Sequence, residues 1–167
     1  MPENNIKWII PGDHETTAEL EILNKTKACK LYRKAFEIIN ARFFNNELQP
    51  IDIKIASDRD IKDNPEISAC FRFSQDSSIK PQIILCFEEP YQWGITTDII
   101  NDLHHEMTHY YCYQNKINDT DENDYHNINF KHAAENHGAK CRFNNTETGY
   151  NITTLPNKAC FEILNLI

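Results

Sequence analysis

The chain has 167 residues, 40% of them hydrophobic and 25% charged, with a net charge of −8 at neutral pH. These values predict one globular domain over residues 1–167, large enough to bury a real core. They argue against a general electrostatic grip on nucleic acid or an anionic membrane, and no run is apolar for long enough to span a bilayer.

Residues 1–14 read as an extended arm closed by Pro11-Gly12. The arm lacks the basic start and sustained apolar stretch of a signal peptide, so a cytoplasmic location is expected. Thr16 and Glu19, three apart, fit a capping box, and a long amphipathic helix should follow to about Asn45. Leu20, Leu23, Leu31, Ala35, Ile38 and Ile39 form its apolar side and Phe43-Phe44 continue it, while Asn45-Asn46 and Pro50 end it. Ile51–Ile55 alternates strictly, which predicts a strand with one buried face. Ile67–Phe73 and Gln82–Phe87 are two more strands, joined by a polar hairpin loop over Ser74–Pro81 and closed by Glu88-Glu89-Pro90. The fold class expected is therefore α+β, with a small, mainly antiparallel sheet of about three strands.

The chemistry lies in the next element. Thr96–Asn115 reads as a helix, capped by Thr96 or Thr97, with Asp98 in the first turn. Ile99, Ile100, Leu103, Met107 and Tyr110 recur at helical spacing and give it a buried side. Within it, His105, Glu106 and His109 spell H-E-x-x-H. Residues four apart share a helix face, so the two imidazoles can present themselves to one ion. Glu106 lies next to the first ligand, where it can take a proton from a metal-bound water. Zinc, one per chain, is the expected ion, because two neutral imidazoles and a third ligand leave a position open.

The third ligand must come from downstream, where His126, His132, His137, Asp124 and Glu135 are the candidates. A short helix should span His126–Asn136, with Asp124 as cap and Gly138 past its end. His126 opens that helix and has Phe130 one turn on, where an aromatic ring can bury beside a site, so it is preferred. His132 points elsewhere, and His137 at a helix C-terminus suits a structural role. His104 cannot share the face of His105 and His109, and His14 is remote. Asp102, Asp124 and Glu135 are candidate partners for the far nitrogens of the ligands. Tyr110, Tyr111, Tyr113 and Tyr125 are candidates to stabilise an oxyanion. The tail, 140–167, holds Cys141, a Gly149-Tyr150 turn and an apolar finish over Phe161–Ile167, and should add a strand or small hairpin. The six cysteines contain no C-x-x-C pair and read as buried thiols.

Four stretches over residues 30–142 together resemble the SprT-like zinc metallopeptidase family, of SprT and Spartan-type catalytic domains. Ala35–Asn40 with Phe43–Leu48 looks like the family's opening helix and its N-x-x-x-F-x-x-x-L ending, and Gln82–Leu85 its strand ahead of the active-site helix. Leu103–His109 is close to L-x-H-E-M-x-H, and His126–Phe130 to H-G-x-x-F. The resemblance implies a zincin-like metallopeptidase domain with His105, His109 and His126 as metal ligands and Glu106 as general base. Two departures stand out. Asn127 replaces a glycine, so the backbone beside His126 should differ. Cys141 and Cys160 stand alone, so the family's C-terminal zinc ribbon is not intact.

The activity this implies is zinc-dependent hydrolysis of peptide bonds in protein substrates through a water activated by Glu106. A link to DNA follows from the resemblance alone, since the basic segments that would carry it are missing from an acidic chain. Competing readings are a non-catalytic metal-binding interaction domain, a nucleic-acid-associated adaptor, and a zinc hydrolase acting on a non-peptide substrate.

Overall fold

The computed structural model describes residues 17–56, 68–74, 79–86 and 95–167, with side chains from residue 25 onward. The expected arm, the Thr16 box, the middle half of the hairpin loop and the Glu88–Pro90 break lie outside the described residues.

Helix α1 spans Thr17–Phe43. Its buried face is Ala28, Tyr32, Ala35, Phe36 and Ile39, spaced four, three, one and three apart. Leu31 and Ile38 flank that stripe half-buried, because the larger rings of Tyr32 and Phe36 take the centre. Asn45 and Asn46 end the helix with left-handed φ of 52° and 60°, a conformation asparagine tolerates better than most residues. Asn40, itself buried, donates to Leu48 O at 2.9 Å and accepts from Leu48 N at 3.1 Å. This two-point staple folds the chain back so that Phe44 and Leu48 both enter the core.

Strands β1 (Asp52–Ile55), β2 (Ala69–Arg72) and β3 (Gln82–Leu85) make one sheet in the order β1-β3-β2. β2 pairs with β3 antiparallel, as the expected hairpin requires, with Phe71 opposite Ile83. β1 pairs with β3 in parallel, Ile53 opposite Ile83, so the sheet is mixed and not mainly antiparallel. Alternating hydrophobicity fixes which face of a strand is buried but not its partner or direction. β2 lies on the side of β3 opposite β1.

Helix α2 (Thr97–Gln114) follows, then α3 (Ile128–Asn136). The tail is more structured than expected. Beyond the antiparallel pair β4 (Lys140–Arg142) and β5 (Ile152–Thr154), the apolar finish is a helix, α4 (Asn157–Leu166). Pro156 stands at its start, and Ala159, Cys160 and Ile163 bury at helical spacing. One hydrophobic cluster joins residues of α1, β1, β3, α2, α3 and α4, including Ile39, Ile53, Leu103, Phe130 and Ile163. All six cysteines are free thiols. No helix among the described residues is long and apolar enough to cross a membrane.

Candidate metal centre

Thr96 caps α2, its side chain accepting from Ile99 N at 3.3 Å. The five apolar residues expected on the buried side, Ile99, Ile100, Leu103, Met107 and Tyr110, are all buried. His105 and His109 are left half-buried on one flank of the helix. There they meet His126, which lies just before α3 and not within it. The Nε2 atoms stand 3.1 Å apart for His105–His109, 3.1 Å for His105–His126 and 3.0 Å for His109–His126. Among the described residues this is the group of metal-ligating side chains close enough to hold an ion. His132 is exposed and takes no part.

The donor set fits a small divalent cation. Three nitrogens about 2.05 Å from one tetrahedral ion would sit about 3.3 Å apart, a few tenths of an ångström from the spacing observed. The far sides of the rings decide what else fits. His109 Nδ1–H donates to Asp119 Oδ2 at 2.7 Å, and His126 Nδ1–H donates to the Thr148 carbonyl at 3.1 Å. With the protons on Nδ1, both Nε2 atoms offer lone pairs to each other, a repulsive contact that a bound cation relieves. His105 Nδ1 is 3.1 Å from Thr153 Oγ1. Burial pushes the His126 imidazole down to about 4 and His105 well below 6.5, with mutual repulsion adding to it. All three rings pack on Phe130, with centroids 4.6–4.7 Å away.

The Nδ1 partners are thus Asp119, Thr148 and Thr153, none of the three carboxylates expected from sequence. Glu135 pairs with Lys131 at 2.8 Å, and Asp102 bonds to Ser68. Asp119 is one of four acidic residues between Asp119 and Asp124, and sequence spacing does not single it out. Thr148 acts through its backbone, which leaves no mark in the sequence.

His126 is held by a clamp of backbone contacts. It bridges to Thr120 on one side and Gly149 on the other. His126 N donates to Thr148 O at 3.1 Å, and Tyr150 N donates to His126 O at 3.0 Å. Gly149 has φ 68°, and a Cβ there would lie 2.2 Å from His126 O. Asn127, not Asp124, caps α3 by accepting from Asn129 N at 2.8 Å and Phe130 N at 3.4 Å. Its φ of −85° is ordinary, so no glycine conformation is needed beside His126.

Glu106 is buried and accepts from the Phe71 backbone N–H of β2. Burial raises its carboxyl to about 7, against the opposing pull of His109. It shares a cavity of about 820 Å³ with the three histidines, Asp119 and the edge strand β2. Of the four tyrosines considered, Tyr113 lines that cavity. Tyr111 packs on His137 at 4.3 Å, and Tyr110 is buried against Phe71.

His104 and His137 are core residues. His104 is buried, packs on Phe43 and Phe44, and donates from Nε2 to His137 O at 2.9 Å. Burial depresses it to about 4 and keeps it neutral. His137 closes α3, donates from Nδ1 to Ala133 O at 2.7 Å and stacks on Phe44 at 4.3 Å.

Fold and site together define an α+β domain carrying a three-histidine cluster able to hold a metal ion. Compared with protein-family models, curated proteins and solved structures, the chain matches none.

Proposed function

We propose that the chain is a zinc-dependent metallopeptidase of the SprT-like type that hydrolyses peptide bonds in protein substrates. One observation carries the reading: Glu106 is buried one residue from a three-imidazole cluster, fixed by the Phe71 N–H and facing the same cavity. A purely structural site has no use for a carboxylate there. Three imidazole nitrogens with room for a further ligand suit zinc. Held by His105, His109 and His126, zinc would supply an electrophile and lower the pKa of water. Glu106 accepts a proton from the attacking water and returns it to the leaving amine. A carboxyl near 7 is suited to both transfers at neutral pH.

The edge strand favours a peptide over other acyl substrates. β2 is paired to β3 on one side, while Ala69, Cys70 and Phe71 border the cavity. An extended chain laid along that border would run beside the strand with its side chains against the cavity wall. The SprT-like motifs also have physical jobs around the site. Asn40, Phe44 and Leu48 build the end of α1 against His104 and His137, and Phe130 floors the imidazoles. Six free thiols accord with action in the cytoplasm.

Elemental analysis and digestion of a denatured test protein examine the proposal together. The expected result is one zinc per chain, lost in His126→Ala and kept in Glu106→Gln. Glu106→Gln should lower cleavage by about 100-fold or more. No zinc uptake by the native chain at neutral pH, or cleavage that persists in Glu106→Gln, would sink it.

A further inference from the structure

Beside the histidine cluster the cavity has an aromatic wall. Phe71 lies in β2 and Phe73 just past its end, and Tyr113 reaches both from α2. Phe71 stacks with Phe73 at 5.7 Å, Phe73 meets Tyr113 at 5.1 Å, and Phe71 meets Tyr113 at 5.6 Å. Buried Tyr110 backs Phe71 at 5.6 Å. Packing of the strand on the helix accounts for Phe71 and Tyr110. It does not account for the outer pair, since Phe73 is 55% exposed and Tyr113 41% exposed. Both line the cavity.

We infer that Phe71, Phe73 and Tyr113 form a subsite for a large apolar side chain of the substrate peptide, next to the bond that is cut. The inference rests on the peptidase reading and gives it a substrate preference. Continuity with the reacting groups supports it: the Phe71 N–H holds Glu106, so the wall begins at the strand residue that fixes the proposed base. A peptide extended beside β2 places alternate side chains on one face, so that one of them can meet the ring wall.

Nucleobases also stack on exposed aromatic rings, but their phosphates require a basic groove. Here the cavity lining sets Lys116 against the carboxylates of Asp102, Asp119 and Asp124. The chain as a whole carries −8. That charge repels a phosphate backbone and admits an apolar residue with lysine or arginine beside it.

The test uses the zinc-loaded full chain and capped decapeptides that carry Phe, Leu, Ala or Asp at one position beside a lysine. Binding to Glu106→Gln is read by fluorescence anisotropy, and cleavage by the native chain is read by mass spectrometry. The Phe and Leu peptides should bind at least tenfold more tightly than the Ala and Asp peptides. That preference should collapse in Phe73→Ala/Tyr113→Ala, whose side chains lie at the surface, while zinc content stays unchanged. Equal binding of all four peptides, or a preference that survives the double substitution, overturns the subsite, as does tighter binding of an oligothymidylate than of the Phe peptide. Cleavage without preference overturns the subsite and leaves the peptidase standing. Preferential binding without cleavage keeps an apolar peptide-binding wall but removes the peptidase, and with it the subsite beside a cut bond.

Discussion

The two halves of the histidine cluster are built by different means. His105 and His109 come from one helix, and its period alone sets them on one face. His126 comes from a segment with no regular structure of its own, fixed by bridges to Thr120 and Gly149 and by the Thr148 carbonyl. Local geometry provides the first pair wherever the helix forms. The third ligand depends on residues up to 24 positions away, at Tyr150, reaching the right place. A site of this kind should therefore fail first at the loop, and the following perturbations separate the two halves.

Acid has the widest reach. His104 on the helix and His126 in the loop are both held near 4 in the fold, against about 6.5 when unfolded. The folded values are the lower ones, so below pH 6.5 the unfolded chain binds more protons. The stability these groups confer is complete above about 6.5 and is lost as pH falls towards about 4, roughly 3 kcal/mol for each. Glu106 works against them, since its carboxyl is raised to about 7 in the fold and adds stability as pH falls from about 7 to 4.5. With His105 also depressed the three histidines outweigh it, and the urea midpoint of the metal-free chain should drop through that window. Zinc should protect the His126 share, because a ligating imidazole cannot take the proton, and leave the His104 share untouched. A midpoint flat from pH 6.5 to 4, or full protection by zinc, would contradict this division.

Gly149→Ala aims at the loop alone. The substitution forces a side chain into left-handed backbone at about 1–2 kcal/mol and drives its Cβ against His126 O. Zinc affinity, measured by competition with a chromophoric chelator, should fall about 100-fold, the upper end for a group supporting a ligand. Gly138→Ala provides the control. It too has positive φ, but its Cβ would meet the Phe43 ring, away from the ligands. It should lower thermal stability while zinc affinity stays within about threefold. Equal losses of zinc in both variants would show that the clamp has no special hold on His126.

The same division explains what the sequence disclosed. Helix α2, a threonine cap at 96 or 97, its buried side and the pairing of His105 with His109 follow from period and spacing, which are local. Phe130 beside the site was legible for the same reason, one turn from His126. The direction of β1 was not, because alternation carries no record of a partner strand. Helix α4 was missed because a short apolar run fits a strand as well as a helix until Pro156 is taken as a start signal. The partners of the imidazoles were the least visible: Thr148 acts through a carbonyl, Thr153 from β5, and Asp119 from among similar neighbours.

Asp119→Asn asks how far the helix orients its own ligand. The Asp119 carboxylate receives the His109 Nδ1–H at 2.7 Å, fixing the ring and its tautomer from outside the helix. An amide keeps the shape but loses the charge and can turn its NH2 toward the ring. Zinc affinity should fall about 10–100-fold, with the circular dichroism spectrum unchanged. No loss would mean that helix packing and Phe130 orient His109 unaided.

The smallest effect belongs to Thr153→Val, and it weighs the hairpin against the helix. Thr153 Oγ1 is the one polar group shown on His105 Nδ1, and it comes from β5 in the tail. Valine fills nearly the same volume, so the substitution removes a neutral hydrogen bond and little packing. Such a bond is worth about 0.5–1.5 kcal/mol, or about 2–12-fold in zinc affinity. A loss within that range would mean that α2 sets His105 and the hairpin trims its tautomer. A loss matching Asp119→Asn would mean that β5 sets this ring as firmly as the loop sets His109. The helix would then supply only the spacing of the pair, and all three ligands would owe their orientation to residues far from them in sequence.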